Sequence, residues 1–304
     1  MKVLLVSVDL VPRYFGVFLA SFRSLVGTCD HIELNSDAVK DEQRRIRILR
    51  REPTYDHVIF FSSSHEQAHI WLEQFSDIEH FVLLSMQYEP EVVLEETQRF
   101  FQQYPWARWI GCDKDSFRYY TSLGIDAYRV RPVVFQERQP IKTNTQGAVC
   151  HALGRMPGKH KARLFAQSNH FVYQSCHEEA QLRRYIRNEV NYGDILLIYA
   201  EAMLREHLLI EALVKGSVVV VPKSFIHTSN ERWIFRSGCL VADNLEEVQT
   251  LMREGSDPDV MALLVEKSMR YVEKNYAPNV LAEELARLLH FKGRVKDDFM
   301  VRRK

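Results

Sequence analysis

The densest run of chemistry-bearing residues in this chain is Asp194–Gly216, D-I-L-L-I-Y-A-E-A-M-L-R-E-H-L-L-I-E-A-L-V-K-G, followed at once by Val218–Val221. An apolar run, a polar break with Glu201, a helical stretch opening near Arg205 and His207, Gly216 and a second apolar run make a β-α-β unit. In an open α/β sheet ligands bind beyond the carboxyl ends of the strands. A helix starting there presents unpartnered N–H groups that favour an anion. Arg205 and His207 fall at that helix start, so the spacing predicts a phosphate-bearing ligand there, with Glu211 one to two turns deeper as a hydrogen-bond acceptor.

Other groups fall at the same kind of position. Gly154-Arg155 closes an apolar run and leads into Pro157-Gly158-Lys159-His160-Lys161, a cationic loop. Arginine grips phosphate with two parallel hydrogen bonds, and Lys159 or Lys161 adds a point charge. Ser229-Asn230-Glu231 leaves the Val218–Val221 strand. In the first half, Asp9 to Gly16 follow the first strand, where a glycine lets the backbone approach a ligand closely. Gln87-Tyr88-Glu89 follows another strand. The histidines form no HExxH or comparable set, and the cysteines no CxxC, so no metal site is expected.

The elements that must position these residues alternate. Strands are expected at Lys2–Val8, Asp30–Leu34, His57–Phe61, His80–Leu84, Ala107–Cys112 and Ala127–Val134. Helices are expected between them at Gly16–Leu25, Asp37–Arg51, His65–Phe75, Glu89–Gln103 and Ser116–Leu123. Gln136–Gln146, polar and aperiodic with Pro140, is the expected linker. A second series follows: strands Gly147–Leu153, Phe171–Tyr173, Ile195–Tyr199, Val218–Val221 and Cys239–Val241; helices Ala162–Gln167, Glu178–Val190, Arg205–Lys215 and Leu245–Arg253. Asp257–Tyr276 and Pro278–Phe291 finish the chain as two helices, each with a proline suited to a first turn. Short apolar runs alternating with helical periods predict an α/β protein of two Rossmann-like domains with parallel sheets, and C-terminal helices. The expected divisions are residues 1–138, 146–277 and a terminal helix and tail at 278–304, with that helix crossing back to the first domain.

The totals agree with a globular reading. The 304 residues carry 40 basic and 40 acidic side chains, and 46% are hydrophobic. Zero net charge argues against a nucleic-acid partner recruited by global basicity. No apolar run approaches the ~20 residues of a membrane helix. Met1–Val8 is too short for a signal peptide, and five scattered cysteines suit reduced thiols. A cytoplasmic protein is expected. Arg44, Arg45, Arg47, Arg50 and Arg51 around Ile46, Ile48 and Leu49 form a basic amphipathic segment, which suits peripheral contact with anionic lipid at the inner face of a membrane.

The second half resembles the group-1 family of nucleotide-sugar-dependent glycosyltransferases, which have the GT-B architecture. Leu153-Gly154-Arg155 with the lysine loop, Tyr192-Gly193-Asp194 before a strand, Glu211-Ala212 with Gly216 and a valine run, and Ser237-Gly238-Cys239-Leu240-Val241 before Asn244–Val248 carry the likeness over most of residues 147–255. The family pairs two glutamates eight positions apart. Glu211 fills the second; the first falls on Met203, with Glu201 two residues earlier. In the first half Gly16 stands alone where the family has paired glycines.

The resemblance implies a glycosyltransferase moving a sugar from a nucleotide-diphosphate sugar to a hydroxyl acceptor, such as a glycan or a lipid-linked sugar. Arg155, Lys159, Lys161, Arg205, His207, Glu201, Glu211 and Glu231 would bind the donor, and Glu211 would take the ribose hydroxyls. Negative charge grows on the leaving diphosphate, so cations can serve in place of a metal, and no cofactor beyond the co-substrate is implied. Glu89 is the candidate general base for the incoming hydroxyl. Two alternatives use the same scaffold: a catalytically degenerate binding or assembly subunit, and a nucleotide-sugar epimerase.

Overall fold

The computed structural model describes residues 1–8, 15–34, 55–61, 81–85, 91–131, 133, 149–154, 172–174, 179–199, 206–223, 237–242, 247, 250–251 and 257–290. The expected helices at Asp37–Arg51, His65–Phe75 and Ala162–Gln167, the Gln136–Gln146 linker and the residues after 290 lie outside them. The chain divides into two compact units, Met1–Val133 with Pro278–Lys304, and Val134–Ala277.

The first unit is built on six parallel strands: β1 (Lys2–Val8), β2 (Thr28–Leu34), β3 (His57–Phe61), β4 (Phe81–Ser85), β5 (Arg108–Gly111) and β6 (Ala127–Arg129), in the order β2-β1-β3-β4-β5-β6. Every residue of β3 is buried, as an apolar strand covered on both faces requires. Helix α1 (Phe15–Val26) covers one face, where Phe15 and Phe18 meet Phe61. Helices α2 (Glu91–Gln103) and α3 (Lys114–Ser122) cover the other, placing Phe100, Phe101 and Tyr120 against Leu4, Val6, Phe60 and Trp109. Asp113 starts α3, its carboxylate accepting from Ser116 N and Oγ at 2.7 and 2.8 Å. This is the side-chain cap that the orphan N–H groups of a first turn need.

The second unit repeats the plan with five parallel strands: β7 (Cys150–Gly154), β8 (Val172–Gln174), β9 (Ile195–Tyr199), β10 (Val218–Pro222) and β11 (Leu240–Ala242), ordered β11-β10-β9-β7-β8. Helices α4 (Glu179–Glu189) and α5 (Glu206–Val214) pack on one face through Leu182, Ile186, Leu209, Ile210 and Leu213. Helix α6 (Pro258–Tyr276) contributes Val265 to the opposite face and Val272 and Tyr276 to the first. Each buried aliphatic side chain contributes ~1.5–3 kcal/mol, so the buried Val218–Val221 run anchors β10 between β11 and β9. Gly216 makes the turn from α5 into β10 at φ +74°, and a Cβ there would run into the ring of Tyr192. The turn needs glycine both for its left-handed backbone and for that close approach.

Helix α7 (Pro278–His290) follows α6 directly and belongs to the first unit, where it lies along α1 and buries Leu281, Ala282, Leu285, Ala286 and Leu289.

Candidate functional site

Both sheets reverse their winding between the first and third strands of their unit. In the second unit β7 leads outward to β8, and the chain then returns to the other side of β7 as β9. At such a switch point the two flanking loops diverge and leave a crevice beyond the carboxyl ends of the strands. The register is close: the last residues of the two strands, Gly154 and Tyr199, are direct partners. The segment with Arg155, Lys159 and Lys161 follows Gly154, and the segment with Glu201 and Arg205 follows Tyr199, so both leave the sheet from adjacent positions on this edge. Helix α5 opens at Glu206, with His207 its second residue. Arg155, Lys159, Lys161, Glu201, Arg205 and Glu231 lie outside the described residues. What the structure brings together is the pair of strand ends from which their segments depart.

Glu211 is described in full. It stands five residues into α5, about 7.5 Å along the axis from the helix start at 1.5 Å per residue. Its Oε1 meets Arg187 Nη2 at 2.7 Å and Arg183 Nε at 3.3 Å, both from α4, and its side chain is only 14% exposed. Oε2 is buried and has no hydrogen-bond partner among the described residues. Lys215 Nζ donates to the Arg187 carbonyl at 2.7 Å, so the same seam is tied twice. The carboxylate thus joins α4 to α5 and keeps one oxygen unsatisfied. Reading the sequence placed Glu211 on the right helix and missed its two arginines, which lie 24 and 28 positions earlier.

Asp194, the residue before β9, lies at the opposite, amino edge of the sheet. Its carboxylate is fully buried and accepts from Asn191 N at 2.8 Å, Val149 N at 3.0 Å and His151 Nε2 at 3.1 Å. His151 Nδ1 lies 3.0 Å from Tyr185 Oη on α4. Burial by itself would raise the Asp194 carboxyl, but the hydrogen bonds from His151, Asn191 and Val149 outweigh it and hold the group below its ordinary range. Asp194 is a fastener that ties β7 to the start of β9, and through His151 to α4, on the edge away from the switch point.

The first unit has its own switch point between β1 and β3, where Ser7 and Phe61 are partners. Gly16 is the second residue of α1, exposed, with open space where a Cβ would stand. Glu89 follows β4 and lies outside the described residues. Near this edge the structure adds a pair that the residue spacing does not reveal: His31 Nε2 is 2.9 Å from Ser7 Oγ, and the His31 ring lies 4.5 Å from that of Phe15 at the start of α1. Burial lowers the His31 pKa, which keeps the ring neutral at pH 7. The contact joins two strands and leaves no local pattern to read.

Among the described residues no three His, Cys, Asp or Glu side chains group as metal ligands, and no helix is long and apolar enough to cross a membrane.

No family model and no curated protein matches the sequence. Solved structures do match over nearly the whole length. HepE from Anabaena, in its UDP-glucose complex, aligns with a TM-score of 0.55 at 10% identity, covering 95% of this chain and 99% of that one. Its complex with UDP and glucose gives 0.54 at 9% identity over 94% and 99%. A glycosyltransferase from Rickettsia africae gives 0.50 at 9% identity over 96% and 99%. The fold is GT-B. The GT-B plan accounts for two doubly wound parallel sheets in one chain and for the terminal helices. At this level of identity the likeness is one of architecture.

Proposed function

We propose that this protein is a glycosyltransferase that moves a sugar from a nucleotide-diphosphate sugar to a hydroxyl acceptor. The observation that carries the reading is the register of Gly154 with Tyr199 at the switch point, because it sends the Arg155–Lys161 segment and the Glu201–His207 segment out from neighbouring strand ends. A diphosphate between them would meet Arg155, Lys159 or Lys161 on one side and Arg205, His207 and the first N–H groups of α5 on the other. The acceptor oxygen attacks the anomeric carbon, the bond from that carbon to the diphosphate oxygen breaks, and Glu89 takes the hydroxyl proton. The leaving diphosphate gains negative charge as the bond breaks, and the cations stabilise that charge more than they stabilise the bound donor. These side chains supply the positive charge, and the reading includes no cofactor beyond the donor. Glu231 and Glu201 complete the proposed donor shell. Glu211 enters through Oε2, the oxygen its arginines leave unsatisfied, as an acceptor for the ribose hydroxyls. The acceptor is a glycan or lipid-linked sugar held by the first unit near Gly16, and the Gln43–Arg51 segment favours an anionic membrane surface.

HepE was solved with UDP and with UDP-glucose, which makes UDP the first diphosphate to try. Calorimetric titration with UDP, GDP, dTDP, ADP and CMP tests the donor site. The expected result is micromolar affinity for one diphosphate, weakened roughly tenfold or more in Arg155→Ala, since a charge-assisted bond is worth about 1.5–3 kcal/mol. A folded protein silent across the panel would overturn the reading. Binding of a diphosphate with no sugar transferred to any acceptor would favour the binding-subunit alternative.

A further inference from the structure

The first unit holds a histidine whose surroundings suit one of its charge states better than the other. His31 stands half-buried on β2, with Nε2 2.9 Å from Ser7 Oγ on β1 and its ring 4.5 Å from that of Phe15 on α1. Ser7 and Phe15 are both buried. The Ser7 hydroxyl has one hydrogen and two acceptors within reach, His31 Nε2 and, at 3.5 Å, the Ile32 carbonyl. A neutral ring with its proton on Nδ1 offers a bare Nε2, and the hydroxyl donates to it across the shorter distance. A proton on Nε2 reverses that bond. The hydroxyl must then turn its hydrogen to Ile32 O, at the outer limit of a hydrogen bond.

The charges nearby do not rescue the imidazolium. Among the described residues Glu33, on the same strand, and Arg23, on α1, act on the ring with opposite signs. Arg23 donates from Nε to the Cys29 carbonyl at 3.0 Å, which keeps its charge beside β2. The group that faces the ring from β1 is the uncharged Ser7 hydroxyl. His151 in the second unit differs, because it meets the Asp194 carboxylate at 3.1 Å. Burial has the largest influence on His31 and holds its pKa below the ordinary 6.5.

What the neutral ring supports is the head of α1. Phe15 is the first residue of that helix, and its ring also meets Phe61 edge-on at 5.3 Å. Phe61 ends β3 and is the register partner of Ser7. Packing at the β1–β3 edge therefore runs from His31 through Phe15 to Phe61.

We infer that His31 is an acid-sensitive latch on α1: neutral, it seats Phe15 and engages Ser7; protonated, it frees the first turns of α1 from β2. A folded pKa below 6.5 means that the hold is complete above that value and is lost as pH falls from there through the folded pKa. This inference does not depend on the donor-site proposal.

Two measurements on the full chain test it. Imidazole spectra of protein labelled with nitrogen-15 histidine, with His31→Gln identifying the peak, should show a His31 midpoint below 6.5. Amide protection in the first two turns of α1, corrected for intrinsic exchange, should fall about five- to tenfold between pH 7.5 and pH 5, while β5 and α3 keep theirs. His31→Gln, which accepts from Ser7 and takes no proton, should lose this dependence on pH. Ser7→Ala leaves the ring in place and removes the hydroxyl that favours its neutral form, so the His31 midpoint should rise. A native midpoint at or above 6.5 would overturn the inference, as would an unchanged midpoint in Ser7→Ala. Acid loosening of α1 that persists in His31→Gln would overturn it too, and so would loosening spread evenly over α1, β5 and α3.

Discussion

Asp194 and Glu211 are both carboxylates of the second unit and both are removed from solvent, yet they are satisfied in opposite ways. Asp194 has three donors on its two oxygens, two of them backbone N–H groups that no side-chain rotation can withdraw. Glu211 has two guanidiniums crowded on one oxygen and, among the described residues, no partner on the other. A buried carboxylate with all its partners acts as a rigid fastener; one with an open oxygen bears a standing desolvation penalty that another donor can relieve. The first belongs to the amino edge of the sheet, where the fold is tied. The second stands on the helix that opens toward the carboxyl edge. The contrast separates a carboxylate with its partners in place from one whose second oxygen is buried and unsatisfied among the described residues.

The largest effect should come from breaking the first. Asp194→Ala leaves His151 and two backbone N–H groups without their acceptor and should cost about 3–5 kcal/mol, measured as a fall in the urea midpoint. The same residue fixes a pH signature. Its folded pKa lies below its ordinary value of 3.8, so its stabilisation is fully present above that value and is lost as pH falls through the folded pKa. Denaturation followed from pH 6 to pH 2.5 should show an acid limb in the native protein that is shallower in Asp194→Asn. Equal limbs would mean that the carboxylate is no better off folded than unfolded.

Gly216 tests the same end of the sheet without charge. Gly216→Ala forces a Cβ into the Tyr192 ring at a left-handed backbone position and should cost about 2 kcal/mol in thermal denaturation. Part of this should return in Gly216→Ala with Tyr192→Ala, because the steric component disappears and the backbone strain stays.

The difference between the two carboxylates also marks how far the sequence could be read. Ile195–Tyr199, Lys2–Val8 and His57–Phe61 follow from their apolar runs alone, and alternation with helical periods is enough to require parallel, doubly wound sheets. Asp257-Pro258 announces α6, whose cap accepts from Asp259 N at 2.9 Å. The helix at Ser116–Leu123 in fact starts earlier, at Lys114, because Asp113 is its cap, a signal present in the sequence and overlooked. Asp194 was legible only as an aspartate before a strand. Its real partners, Val149 and His151, stand 45 and 43 positions away, and no local pattern reports them. The same is true of Arg131 with Glu284 and of Ser7 with His31. Periodicity records what a residue buries, whereas a polar partner is set by the topology that brings two distant elements together. The cations proposed for the donor rest only on a strand end and a helix start, both local features.

Glu211 gives a smaller stability effect and a sharper functional one. Glu211→Gln removes the charge that Arg183 and Arg187 share, and because Arg187 is largely exposed the loss should be about 1 kcal/mol. Diphosphate affinity, measured by calorimetry, should fall together with Glu211→Ala by roughly tenfold if Oε2 receives a ribose hydroxyl. Unchanged affinity with a lowered melting temperature would assign Glu211 to the α4–α5 seam alone, and the comparison with Asp194 would become one of degree.

The smallest effect reads the charge on Asp194 directly. The Cys150 thiol is pushed up to about 11, chiefly by burial and secondarily by the Asp194 carboxylate. At pH 8 only about one such thiol in a thousand is ionised, so its reaction with a disulfide reagent is slow. Asp194→Asn removes the repulsion and leaves the burial, so Cys150 should react about two- to fivefold faster at that pH. Cys29 and Cys239, also pushed up to about 11, are the internal standards. The charges of Arg23 and Asp30 act on the first, and the Ser237 hydrogen bond and the Lys267 charge on the second, so neither depends on Asp194. If all three thiols accelerate together, the variant has only loosened the fold. If Cys150 alone accelerates, Asp194 is charged in the folded protein, as a carboxylate with three donors should be.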